Sequence, residues 1–240
     1  MTNVLVLAAN DASDPSDAGY PVCLTELGNS TLLEVIAKQV QHLENVKLTI
    51  ALRDADVRKW HFDELVKNFP VSSDLYSIGS DTAGATCTAL LSVASMDEGD
   101  ALLILNGNEF LDFDFVSAIK EFSSASADAG VVCFDSLHPR YSYARLDDQG
   151  YVLETAEKRP ISRNATVGFY WFKSAGLFME NASRQLLKRA TVDGKYFICP
   201  VMNEIILSGG LVKAIRINQD KFVPLKTQRQ LSKFDTSKDN

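Results

Sequence analysis

"VLVLAANDASDPSDAGYPVCLTELGNSTLLE", residues 4–34, runs from a short apolar stretch through a loop of small residues into a helical pattern. That order opens an α/β domain whose first loop faces a phosphate-bearing ligand, because loop and helix-start N–H groups attract anions. The loop itself departs from this role. It carries Asn10, Asp11, Ser13, Asp14 and Asp17, with Val22 after Pro21, where a phosphate cradle uses glycines and basic side chains.

The alternation continues downstream. "NVLVLAA" (3–9) predicts a buried strand, "TLLEVIAKQVQHL" (31–43) a helix and "VKLTIAL" (46–52) a second strand, which together make a βαβ unit. "ADVRKWHFDELVKNF" (55–69) predicts a helix, "DLYSIG" (74–79) a strand, "GATCTALLSVAS" (84–95) a helix and "DALLILN" (100–106) an apolar strand. Strands alternating with helices imply a mainly parallel sheet covered on both faces. "DFDFVSAIKEFSSA" (112–125) predicts a helix with an acidic cap, followed by the strand "AGVVCF" (129–134). The rhythm then turns antiparallel. "YSYARLDDQGYVLETAEK" (141–158) predicts two strands joined around Asp148, Gln149 and Gly150, and "ATVGFYWF" (165–172) a strand whose alternate residues face opposite layers. "AGLFMENASRQLLKRAT" (175–191) and "VMNEIILSGG" (201–210) return to helix, "LVKAIRI" (211–217) to strand, and "FDTSKDN" (234–240) is a polar, frayed tail. Without a repeat or a linker, residues 1–240 read as one domain.

Composition narrows the function classes. The 240 residues are 46% hydrophobic and 23% charged with no long apolar run, so no membrane span is expected. The start lacks the basic flank and apolar core of an export signal, which points to a cytoplasmic protein. Cys23, Cys87, Cys133 and Cys199 are far apart, which argues against a zinc site or disulfides; they read as small buried hydrophobes. A net charge of -7 disfavours a nucleic-acid surface and leaves room for a small anion in a local basic pocket.

In open α/β sheets ligands bind where the carboxyl ends of strands meet helix N-termini. The loop after the first strand, "SDTAGAT" (80–86) and "NGNEFLDFD" (106–114) should therefore converge. "HPRYSYA" (138–144), "AEKRPIS" (156–162) and "CPVMNE" (199–204) place polar and charged residues among apolar ones and read as the opposite wall.

The succession "VLVLAA", "YPVCLTELGNSTLLEVI", "SDTAGATCTALL", "LLILNGNEFLDFDF", "HPRYSYARLDDQGYVLETAEKRPIS", "ATVGFYWF" and "YFICPVMNEII" resembles the sugar-phosphate nucleotidyltransferases, or nucleotide-sugar pyrophosphorylases. The likeness spans Asn3 to about Leu231 and is to the small bacterial members linked to capsule and surface-polysaccharide synthesis. It implies a Rossmann-like three-layer α/β/α fold of the glycosyltransferase-A type with a mainly parallel mixed sheet. It also implies attack by a sugar phosphate, or similar phosphate monoester, on the α-phosphate of a nucleoside triphosphate, releasing pyrophosphate with Mg²⁺ assistance. The implied partners are a small-molecule nucleotide and a sugar phosphate, not nucleic acid or membrane; a homo-oligomer stays open.

Carried over residue by residue, the resemblance matches Glu157 and Lys158 to the family's Glu-Lys pair, in which the lysine faces the phosphate or sugar. Gly168 matches the glycine that lets backbone approach the ligand, and Asn203 and Glu204 match a pair on the far wall. Tyr141 and Ser142 fit the same surroundings, with His138, Arg140 and Ser162 beside them. On the nucleotide side Thr82 and Gly84 match the base-contacting segment, joined by Ala8, Ala9, Asn106 and Gly107 at the strand ends.

Several family features are altered. Asn10 holds a glycine place, acids around Asp14 replace an arginine region, and Val22 stands where a lysine follows the proline. Asn108 corresponds to the metal-binding aspartate and is a weak ligand for Mg²⁺, and the neighbouring Glu109 is expected to point elsewhere. Near the C-terminus only Thr227 of a glycine-threonine-proline turn is kept, with Pro224 near an acidic ligand position. Plainer roles compete at several positions. Glu157 and Lys158 also fit a surface ion pair, Asp112 and Asp114 a helix cap, His138 a turn, His42 and His61 solvated helix positions, and Asn203 a helix-start cap. Two functions follow: a divergent nucleotidyltransferase making an activated precursor, or a non-catalytic relative that binds a nucleotide or sugar phosphate and regulates or scaffolds a pathway.

Overall fold

The computed structural model describes residues 1–9, 20–79 and 81–225. The acidic loop from Asn10 to Asp17, Thr227 and the polar tail lie outside the described residues.

β1 (Thr2–Leu7) leads to a small hairpin, β2 (Glu26–Leu27) and β3 (Ser30–Thr31), and then to α1 (Leu32–Val40). The start of α1 is fixed reciprocally. The Thr31 hydroxyl accepts from the Glu34 N–H at 3.2 Å, and the Glu34 carboxylate accepts from the Thr31 N–H at 2.6 Å. β4 (Val46–Arg53) follows, then α2 (Asp54–Trp60), α3 (Phe62–Leu65), β5 (Ser73–Ile78), α4 (Ala85–Val93) and β6 (Ala101–Asn106). The expected single helix over 55–69 is broken. His61 takes a left-handed φ of 53°, which ends α2 and turns the fully buried Phe62 into the core. His61 and His42 are exposed, the latter in the turn after α1.

β7 (Glu109–Leu111), α5 (Phe115–Ser124) and β8 (Ala129–Asp135) come next. Asp114 caps α5 as expected, accepting from the Val116 and Ser117 N–H groups at 2.9 and 3.1 Å, while Asp112 pairs with Lys221. The antiparallel hairpin is β9 (Ser142–Leu146) and β10 (Val152–Glu157), followed by β11 (Asn164–Phe172), α6 (Ala175–Leu187), α7 (Val201–Leu207), β12 (Val212–Arg216) and β13 (Phe222–Pro224).

The main sheet runs β12-β8-β11-β6-β1-β4-β5, with the β9/β10 hairpin joined to the start of β11. β1 is parallel to both β4 and β6, β4 to β5, and β12 to β8, whereas β11 is antiparallel to β6 and β8. Helices cover both faces, giving a Rossmann-like three-layer α/β/α arrangement. Strand alternation splits the core between them. Val4, Val6, Phe169 and Trp171 face the layer of α1 and α5, where Trp171 stacks on Phe122 at 5.7 Å. Leu5, Tyr170 and Phe172 face the layer of α4, α6 and α7. No helix among the described residues is long and apolar enough to cross a membrane.

The C-terminal segment holds a pairing that local pattern does not announce. β13 lies antiparallel on β7, setting Pro224 opposite Glu109, and the Leu225 N–H donates to the Asn108 carbonyl at 2.9 Å. This strap borders the carboxyl ends of β1 and β6.

Candidate functional site

Two adjoining cavities open at those strand ends. The inner one has a volume of about 310 Å³ and the outer one about 280 Å³. Leu7, Ala9, Ala85 and Phe197 line both, so the two form one cleft divided by apolar side chains.

The inner floor is built where β6 ends beside β11. Gly168 has a φ of 68° and sits in the stretch where the β11 register shifts. A Cβ there would lie 2.1 Å from Glu109 Oε2 and 2.3 Å from Asn106 Nδ2, so only glycine lets the strand pass these side chains. Asn106 in turn donates to Glu109 Oε2 at 3.0 Å. Glu109 lines the cavity and is only 4% exposed, which corrects the expectation that it points elsewhere. The reason is the pairing of β7 with β13, which sets the side on which each residue of this short strand falls.

The inner wall comes from the hairpin. Tyr141, Ser142, Glu157 and Lys158 all line the cavity, with Arg140 beside them. The Ser142 hydroxyl donates to the Glu157 carboxylate and so orients it. Behind them the Tyr170 and Thr166 hydroxyls lie 3.0 Å apart, and burial, with Cys199 and Glu157 nearby, pushes the Tyr170 phenol well above its usual range. Burial also raises the Cys199 thiol, which lines this cavity and therefore stays protonated rather than nucleophilic. The buried Cys133 is likewise pushed up to about 12 by desolvation, and all four cysteines are free.

The outer cavity is lined by Thr82, Gly84, Ile78, Arg53, Asp81 and Lys195 among others. Thr82 is engaged locally, its hydroxyl 2.7 Å from that of Thr88 and 3.1 Å from the Gly84 carbonyl. Gly84, at a φ of 123°, lies against backbone: a Cβ would stand 2.4 Å from the Tyr196 carbonyl oxygen. Tyr196 is stitched to this loop, donating to the Ala83 carbonyl at 2.9 Å and accepting from the Thr86 N–H at 3.2 Å. α4 begins here, with Gly84 at its N-cap and Ala85 lining both cavities. At the mouth, Arg53 pairs with Asp81 at 3.0 Å.

The sequence-selected residues thus divide into four groups. Glu157, Lys158, Gly168, Tyr141, Ser142, Asn106 and Asn108 meet around the inner cavity, and Thr82, Gly84 and Ala9 around the outer one. Ala8 and Gly107 sit just behind the floor, where Gly107 donates to the Leu7 carbonyl and leaves no room for a side chain against Ala8. Asn203 and Glu204 line neither cavity. The Asn203 amide brackets the Thr155 peptide, accepting from its N–H at 2.7 Å and donating to its carbonyl at 2.9 Å. Asn203 lies inside α7 and caps nothing; it satisfies backbone on β10, and the buried Glu204 pairs with Lys188 at 2.6 Å. Ser162 donates to the Ala144 carbonyl, and the His138 imidazole accepts from the Arg140 N–H in a turn. Besides Glu109, whose expected direction was wrong, lining residues not singled out from the sequence include Thr166, Tyr170, Phe197, Arg53 and Lys195. Strand alternation in "ATVGFYWF" was the one local signal for any of them.

Mg²⁺ takes hard oxygen donors in octahedral geometry. Asn108 offers a neutral amide oxygen, and no three His, Cys, Asp or Glu side chains converge among the described residues. These residues alone do not assemble a metal centre.

A family model described as nucleotidyl transferase matches residues 25–212. No curated protein sequence matches the chain at a significant level. Among solved structures, a nucleoside-diphosphate-sugar pyrophosphorylase from Vibrio cholerae superposes with a TM-score of 0.81 at 20% identity, over 96% of this chain and 98% of that one. A protein from Bacillus anthracis, provisionally assigned as a glucose-1-phosphate thymidylyltransferase and bound to sucrose, gives 0.79 at 18% identity, over 99% and 95%. At such identities these two establish a shared fold.

Proposed function

The chain belongs to the nucleotidyl transferase family, and from that premise we propose that its cleft binds a nucleotide in the outer cavity and a sugar phosphate, or similar phosphate monoester, in the inner one. The reaction would join the monoester oxygen to the α-phosphorus of a nucleoside triphosphate while the bond to pyrophosphate breaks. One observation carries this reading: Glu157 and Lys158 stand on the same cleft as Thr82 and Gly84, with Gly168 thinning the floor between β6 and β11.

Each part has a chemical task. Glu157, oriented by Ser142, accepts hydrogen bonds from ligand hydroxyls, and Lys158 with Arg140 offsets phosphate charge. Main-chain groups of the Thr82–Ala85 loop reach the base edge between the apolar Leu7, Ile78 and Phe197. A phosphate nucleophile is already ionised, so the step needs alignment and charge neutralisation more than a general base. Mg²⁺, which the family resemblance implies, would offset phosphate charge, with the Asn108 amide oxygen as a candidate ligand in the inner cavity. The product class fits a place in surface-polysaccharide synthesis.

A binding-only role is the second reading. It is favoured by Asn108 and Val22, which stand where the family resemblance implies a metal-binding carboxylate and a lysine. Both readings are tested by screening nucleoside triphosphates and hexose 1-phosphates for thermal stabilisation, then assaying pyrophosphate release on the ligands that bind. A ligand at a hundredfold its dissociation constant stabilises by about 2.7 kcal/mol. Binding with turnover supports the enzyme, binding without turnover supports the second reading, and stabilisation by none of them overturns both.

A further inference from the structure

Lys158, which with Arg140 brings positive charge to the inner cavity, is already held by the chain. It follows β10 at a left-handed φ of 54°, and its N–H donates to the Tyr141 carbonyl at 3.0 Å, which fixes where the side chain starts. Its Nζ lies 5.1 Å from the centre of the Phe197 ring and 3.0 Å from Asp193 Oδ2.

Asp193 comes from the connection between α6 and α7. Val192 and Lys195 exchange backbone hydrogen bonds at 2.9 and 3.0 Å, with Asp193 and Gly194 between them at φ values of 50° and 74°. Two central residues with positive φ mark a tight hairpin turn of the I′ kind, which gives the Asp193 side chain a defined origin. The same segment reaches the outer cavity through Lys195, and Tyr196 ties it to the loop before α4.

We propose that Asp193 is a positioning residue that holds Lys158 at the mouth of the inner cavity and competes with the ligand's phosphate for it. This rests on the reading of that cavity as the phosphate-monoester site. The exchange is between ion pairs, with no covalent bond made or broken. Lys158 and Asp193 are 42% and 73% exposed, so their pair is weak and displaceable. A dianionic phosphate offers more charge and more acceptor oxygens than one carboxylate and displaces it. A neutral sugar does not, and a monoanionic diester does so poorly. Asp193 thereby selects for ligands with a full terminal phosphate.

The test is calorimetric titration of glucose 1-phosphate and inorganic phosphate into the unaltered protein, Asp193→Asn, Asp193→Glu, Lys158→Ala and the Asp193→Asn/Lys158→Ala pair. Thermal melts check each fold; asparagine tolerates the positive φ of this turn. Asp193→Asn is expected to tighten glucose 1-phosphate about two- to fivefold, the range set by an exposed ion pair. Asp193→Glu should return toward the unaltered affinity, and Asp193→Asn should add nothing once Lys158 is gone. Phosphate bound by Asp193→Asn and undetected with the unaltered protein is the strong form of the same result. Weaker binding by Lys158→Ala without any gain from Asp193→Asn overturns this inference alone. Binding by none of the proteins overturns it together with the reading on which it rests.

Discussion

The Asn106 side chain donates to the Glu109 carboxylate at 3.0 Å, and the backbone of Gly168 passes so close to both that no side chain fits there. Three residues from β6, β7 and β11 thus make one floor. A buried carboxylate costs free energy unless hydrogen-bonded, and the Asn106 amide supplies one such bond. The floor of the inner cavity is therefore closely packed and hydrogen-bonded.

Gly168→Ala should be severe. The new Cβ would meet Glu109 and Asn106 at sub-contact distances and sit at a φ of 68°. Strain and clash together should cost about 3 kcal/mol in urea unfolding. A loss below about 0.5 kcal/mol would show that the floor relaxes and is not the tight contact described.

Asn203→Ala should separate stability from binding. It removes two hydrogen bonds to the Thr155 peptide and leaves buried backbone groups unpaired, costing about 2 kcal/mol. Affinity for hexose 1-phosphate, measured below the melting range, should not change. A large affinity loss with intact stability would restore Asn203 to the ligand wall.

Asp114→Ala tests the α5 cap through pH. The Ser117 hydroxyl and N–H, then the Val116 N–H, hold the Asp114 carboxyl below the ordinary aspartate range. A group depressed in the folded state stabilises above its unfolded pKa and loses that contribution as pH falls through the folded one. The variant should be less stable than the unaltered protein at neutral pH, with the gap closing under acid. A gap of constant size from pH 7 to pH 2 would show that charge plays no part in the cap.

Turnover should be low. With Asn108 and Val22 where the family resemblance implies a carboxylate and a lysine, Mg²⁺-dependent pyrophosphate release from common triphosphates and hexose 1-phosphates should fall below about 1 per second, the lower end of ordinary enzymes. Asn108→Asp should raise the Mg²⁺-dependent part of triphosphate binding. Fast release by the unaltered protein would mean that other residues supply the missing charge.

What could be read from the chain depended on how local each signal was. The strand-helix alternation, the Asp114 cap and the hairpin around Gly150 are set within a few residues, and all appear in the structure. Glu157, Lys158, Thr82 and Gly84 were selected through short family-like motifs, and they fall at strand and helix ends that line the cleft. Glu109 was not legible, because its direction depends on β13, more than a hundred residues later. Asn203 misled for the same reason: its neighbours suggest a cap, while its partner Thr155 is 48 residues away. His61 interrupts a helical pattern that its neighbours alone would continue.

The strap of β13 on β7 also has a consequence for synthesis. The chain emerges from the ribosome N-terminus first, so β1, β4 and β6 can pair long before residues 222–225 exist. Until those residues arrive, the Asp112 N–H lacks the Lys221 carbonyl and the Asn108 carbonyl lacks the Leu225 N–H. A nascent chain thus carries a paired central sheet before the segment of Asn108 and Glu109, which lines the inner cavity, is tied down from its far side.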